Sequence, residues 1–233
     1  MKIDVLQHVS YEGPGAISEW AQSHGHEIRI TEMYQADLPA VEGVEFLVIL
    51  GGPMNVHQEA DYPWLAKEKA FVRAAIEKGK VVLGICLGAQ LLADVLGGKV
   101  TKGEHVEIGW FPVEITDAGH GLELMGGFPT RFIALHWHGD TFSIPPESVH
   151  FASSTACKHQ AFAYDEGRVV GLQFHWEETR ESLALLMENA ATDLVQGEWI
   201  ESSKELLAPY APFQLGHDLL YRLLDRMAEK VSA

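Results

Sequence analysis

Residues 46–50 (Phe-Leu-Val-Ile-Leu) are apolar at every position, and residues 81–85 and 169–174 are nearly so. A strand with one face in water alternates apolar with polar side chains. An unbroken run of this length instead requires cover on both faces, as in a parallel sheet with helices above and below. Glycine or a turn ends each of the first two runs, at Gly51-Gly52-Pro53 and at Cys86-Leu87-Gly88. The expected fold class is therefore α/β: a doubly wound, mostly parallel sheet with flanking helices.

The rest of the chain fits around that sheet. Residues 3–7 and 27–30 read as strands, separated by a Gly13-Pro14-Gly15 turn and a helix over 16–23. Residues 64–78 carry Leu65, Phe71, Val72 and Ile76 near helical spacing, and Gly79 stops them. A further helix is expected over 88–96, closed by Gly97-Gly98. From 99 to 165 short β-like runs lie between Gly and Pro turns, at 107–111, 113–116, 131–135, 149–153 and 161–164; they predict a small antiparallel insert. Helices follow at 180–189, 198–207 and 214–230, the last an amphipathic core-packing face. No linker separates folding units. One domain over 1–233 is expected, with a core of about 1–195 and a helical extension of about 196–233.

Charge excludes some partners. Thirty-three acidic against 17 basic residues give a formal charge of −16, which argues against nucleic acid or an anionic membrane surface. The start, MKIDVLQHV, lacks the apolar stretch of a secretory signal, and no run is long enough to span a bilayer. Two cysteines, Cys86 and Cys157, are too few for a disulfide framework. A reducing, cytoplasmic setting is expected.

Cys86 stands at a strand-to-helix junction between Gly84 and Gly88. A sharp turn that brings a helix close to the sheet needs such small neighbours, and it presents the turn's side chain as a nucleophile. The helix N-terminus favours a thiolate there, and the N–H of Leu87 is placed to donate to an oxyanion. Cys157 has no such context and reads as structural. A thiolate that attacks an amide needs a base and an acceptor that orients the base. His175 and Glu177, two apart at the end of a buried strand, project the same way and can supply both.

Four segments together carry a resemblance: Gly51-Gly52-Pro53, the GICLGAQ run of residues 84–90, His138-Gly139-Asp140, and GLQFHWEE at 171–178. The chain resembles the class I glutamine amidotransferase (Triad) family, most of all the glutaminase domain of GMP synthetase. The resemblance implies the flavodoxin-like fold of that family and a Cys86–His175–Glu177 triad. It also implies an oxyanion hole from the N–H groups of Gly52 and Leu87, and substrate contacts from Gln90 and from the backbone around Trp137 and His138. The family usually has proline between the catalytic His and Glu, where this chain has Trp176. Leu87 likewise replaces the common aromatic or other bulky residue at the elbow.

The implied reaction is hydrolysis of the side-chain amide of glutamine through a γ-glutamyl thioester, with release of glutamate and ammonia. A γ-glutamyl peptidase acting on glutathione-like compounds uses the same chemistry, and an inactive regulatory or binding domain is the reading from another class. The expected partners are a small-molecule substrate and an ammonia-accepting synthetase on a separate chain. No cofactor is expected. His136-x-His138 invites a metal, but no third ligand is legible at a metal-type spacing, so none is assigned.

Overall fold

The computed structural model describes residues 1–231. Its strands are β1 (Lys2–Gln7), β2 (Glu27–Glu32), β3 (Phe46–Ile49), β4 (Val81–Ile85), β5 (Val100–Ile115), β6 (Arg131–Phe142), β7 (Val149–Ser154), β8 (Ala161–Tyr164) and β9 (Val169–Leu172). Its α-helices are α1 (Ala16–Ser23), α2 (Trp64–Glu77), α3 (Leu87–Val95), α4 (Asp117–His120), α5 (Arg180–Asn189), α6 (Ser203–Leu206) and α7 (Phe213–Glu229).

All nine strands join one sheet in the order β2-β1-β3-β4-β9-β8-β7-β5-β6. The first five in that order pair in parallel, and the remainder pair antiparallel. The apolar runs are explained by cover on both faces. Phe46 and Val48 pack in the cluster that holds Trp20 of α1 and Leu220 of α7. Leu47 and Ile49 pack on the other face with Val72 of α2 and Leu91 of α3. This arrangement places the C-terminal ends of β3, β4 and β9 side by side, where ligands bind in open parallel sheets.

Two expected elements differ. The antiparallel strands continue the main sheet, and β5 and β6 run for 16 and 12 residues, well beyond the short runs read from the side chains. Ladder hydrogen bonds carry the pairing across polar residues, with one irregularity between Lys102 and Glu107. The helix expected over 198–207 shrinks to α6. Before it the chain is tied to β5: Ile108 N–H donates to Trp199 O at 2.8 Å and Glu201 N–H to Ile108 O at 2.8 Å. The helix starts only where Ser202 caps it in a reciprocal box with Glu205. Helix α7 packs as expected, with Leu219, Leu220, Leu223, Leu224 and Met227 in the core.

Candidate active site

Cys86 follows β4 directly and caps α3, with φ 52° and ψ −107°. A side chain other than glycine rarely holds a positive φ, and such strain concentrates at functional turns. Its N–H donates to Leu172 O of β9 at 2.8 Å, which ties the turn to the neighbouring strand. The flanking glycines are required by contact. A Cβ on Gly84 would lie 2.5 Å from the carbonyl of Gly88, and one on Gly88 would lie 2.1 Å from Ile49 O.

His175 and Glu177 meet beside this turn. His175 Nδ1 lies 2.7 Å from Glu177 Oε1, with both side chains buried. Carboxylates only accept, so Nδ1 carries the proton and Nε2 is left without a hydrogen-bond partner. Burial opposes charge on His175, yet the Glu177 carboxylate, with Cys86 adding to it, raises its pKa well above the usual value. The carboxylate of Glu177 therefore favours the charged form of the ring. Two backbone bonds fix this segment: His175 N–H to Leu135 O of β6 and Ala16 N–H of α1 to Glu177 O, both 2.8 Å. Trp176, between them, is buried against Phe128, Phe132 and Phe174.

Glu178 is the next carboxylate along. Burial, then the charge of Glu177, pushes it up to about 8, and the Ser182 hydroxyl donates to it. A carboxyl with a raised pKa in the folded chain stabilises it fully below the ordinary value of 4.5, and loses that contribution as pH rises through about 8. Glu178→Gln stays neutral throughout. Its melting temperature is expected to gain on the wild type steadily between about pH 5 and pH 9. A mutant-to-wild-type difference that does not change with pH would refute the buried proton.

The Gly51–Gly52 turn ends β3 next to Cys86. His8 Nδ1 donates to Gly51 O at 2.8 Å, and His8 Nε2 lies 2.9 Å from Glu68 Oε1. Burial disfavours a charged His8, but the Glu68 carboxylate overrides it and raises the pKa. No cis peptide occurs among the described residues, and in a trans peptide the next N–H points opposite to the carbonyl. Holding Gly51 O against His8 therefore turns Gly52 N–H away from it, and that N–H has no partner among the described residues. Leu87 N–H opens α3, whose first turn has no intrahelical acceptor.

The expected substrate-contact residues converge on the same cavity of about 420 Å³, which Cys86, His175, Gly52 and Gln90 line. Gln90 Nε2 donates to Gln173 Oε1 at 3.1 Å, which leaves its amide oxygen free. Trp137 O lies 3.6 Å from Cys86 Sγ. The His138 imidazole points elsewhere, with Nε2 3.2 Å from Glu107 Oε2. Glu107 also lies 3.4 Å from His136 Nδ1 and accepts from Ser154 and Gln160. Glu107, His136 and His138 offer ligand-type atoms within 4.8 Å of one another. The β5–β6 register sets Glu107 opposite His138, and burial lowers His136 to about 3, so its ring is neutral.

Sequence reasoning missed His8, Glu68, Glu107 and Glu12. Glu12 lines the cavity from the loop between β1 and α1, and burial pushes it up to about 6 against the pull of His175 and His8. Cys157 is buried and free, and it is not among the residues that line the cavity. No described helix is long and apolar enough to cross a membrane.

Known proteins resemble this chain along most of its length. A glutamine amidotransferase-like protein of Salmonella typhimurium is 29% identical over 235 residues, 97% of each chain. One of the subunits of the glutamine-hydrolysing GMP synthase of Thermoplasma acidophilum is 30% identical over 142 residues, 60% of this chain and 67% of that one. The crystal structure of a glutamine amidotransferase from Thermotoga maritima matches with a TM-score of 0.88 at 30% identity, over 98% of both chains. The family model described as glutamine amidotransferase class-I matches residues 16–190, and the chain belongs to that family.

Proposed function

We propose that Cys86, His175 and Glu177 hydrolyse the side-chain amide of glutamine. The observation that carries this reading is the meeting, in one cavity, of a cysteine at positive φ on a helix N-terminus with a buried imidazole already paired to a carboxylate. The Cys86 thiolate attacks the amide carbon. The oxyanion that forms is met by the free N–H groups of Gly52 and Leu87. His175 gives its Nε2 proton to the nitrogen as the C–N bond breaks, and ammonia leaves. Water then attacks the γ-glutamyl thioester, passes a proton to His175, and releases glutamate and the thiolate. Glu177 keeps the ring oriented and offsets its charge. Gln90 and the backbone at Trp137 and His138 hold the α-amino-acid end.

One observation favours a second substrate, a γ-glutamyl peptide or conjugate: the cavity of about 420 Å³ exceeds what a free amino acid needs and falls in the range of clefts for larger ligands. A separate synthetase that accepts the ammonia is the partner suggested by the relative that is itself one GMP synthase subunit.

A diazoketone analogue of glutamine tests the nucleophile directly. Intact-mass and peptide mapping are expected to place one adduct on Cys86 and none on Cys157. Labelling confined to Cys157 would overturn the assignment.

A further inference from the structure

We propose that this site prefers γ-glutamyl amides whose leaving amine carries a positive charge, and that Glu12 is the side chain that selects them. The inference rests on Cys86 being the nucleophile and names the substrate class of that same site.

Glu12 is 7% exposed and lines the cavity, and no donor among the described residues reaches its carboxylate within hydrogen-bond distance. A buried carboxylate without a partner is costly, and a cationic ligand removes that cost. Its position says which end of the substrate would bring the cation. A Cβ placed on Gly51 would lie 2.5 Å from Glu12 Oε2, 3.3 Å from His175 Cε1 and 3.7 Å from Cys86 Cβ. The carboxylate, the edge of the imidazole and the nucleophile therefore border one spot. The leaving nitrogen has to face His175 to take its proton, which sets it on the Glu12 side. The glutamyl half extends the other way, toward Gln90 and the Trp137 carbonyl.

The remaining charges of the cavity point to the same selection. Asp140 Oδ2 accepts from Asn55 Nδ2 at 2.6 Å, and Asp193 Oδ2 accepts from Trp137 Nε1 at 3.1 Å. Both are engaged within the protein, and Glu12 is not. No lysine or arginine is among the residues that line the cavity. A leaving group that ends in a carboxylate, as in glutathione, would bring its negative charge beside that of Glu12. A short aliphatic amine with a second ammonium finds Glu12 for its charge.

Three matched amides test this: γ-glutamyl conjugates of 1,3-diaminopropane, propylamine and β-alanine, which are cationic, neutral and anionic at the same reach. Near neutral pH the wild type is expected to hydrolyse the cationic conjugate at least about tenfold faster in kcat/KM than the anionic one, with the neutral one between, as a charge pair at a few ångströms allows. Glu12→Gln, which keeps the shape and removes the charge, is expected to bring the three together. Equal wild-type rates overturn the selection and leave Cys86 standing. A spread that survives Glu12→Gln overturns the role of Glu12. An equal loss on all three in that variant would place the carboxylate on the α-ammonium they share, and also overturns it. A wild type inert on all three overturns the selection, and if Cys86 also resists the diazoketone the nucleophile falls with it.

Discussion

Cys86→Ala is expected to lower kcat/KM for glutamine by at least about 10⁴-fold, as removal of the nucleophile does in enzymes whose triad acts as a unit. The reason is local. Alanine leaves His175 and Glu177 in place, 2.7 Å apart, and leaves the N–H groups of Gly52 and Leu87 free, but no atom remains to form the thioester. The fold has little cause to change, because alanine takes the same backbone as cysteine at φ 52° and only a sulfur is lost. The melting temperature should therefore stay close to that of the wild type while glutamate release and diazoketone labelling vanish. Cys86→Ser is expected to be nearly as inactive, since a hydroxyl has no stable anion for the raised His175 to pair with. Glutamate formed by Cys86→Ala within about tenfold of the wild-type rate would sink the nucleophile outright.

What the sequence disclosed about this site depends on how far apart the partners lie in the chain. Cys86 with Gly84 and Gly88 was legible because all three stand on one turn, and the turn alone demands the two glycines. His175 and Glu177 were legible because an extended chain sends residues two apart to the same side. The parallel half of the sheet was legible in residues 46–50, whose side chains divide between two buried faces. His8 and Glu68 meet from opposite ends of two distant elements, and nothing near either residue marks the other. Glu107 reaches His136 and His138 only through the β5–β6 register. Glu12 looks like an ordinary loop acid until the fold closes over it. The extended stretch before α6 was missed for a related reason: its backbone is satisfied by Ile108, some ninety positions earlier, so its own residue types decide little.

Gly88→Ala is expected to destabilise the protein by about 3 kcal/mol or more, at the upper end of what an added methyl does in a packed interior. The added Cβ would stand 2.1 Å from Ile49 O, 2.8 Å from Ile49 C and 3.0 Å from Ile49 Cβ. Two of those three atoms are backbone, so no rotamer change makes room. Either β3 leaves its pairing between β1 and β4, or α3 lifts away from the sheet. Lifting α3 exposes Leu91 and Leu92, now fully buried, and it also carries Leu87 N–H and the Cys86 turn away from Gly52. Stability and labelling should therefore fall together: a lower urea midpoint, less soluble protein, and slower diazoketone addition in whatever remains folded. Gly43→Ala is the matched control, since a Cβ there meets nothing within 4 Å, and its stability should stay within about 1 kcal/mol of the wild type. If Gly88→Ala instead kept the wild-type midpoint and labelling rate, α3 would have to sit farther from β3 than this fold allows. The elbow would then not be what holds the thiol in place.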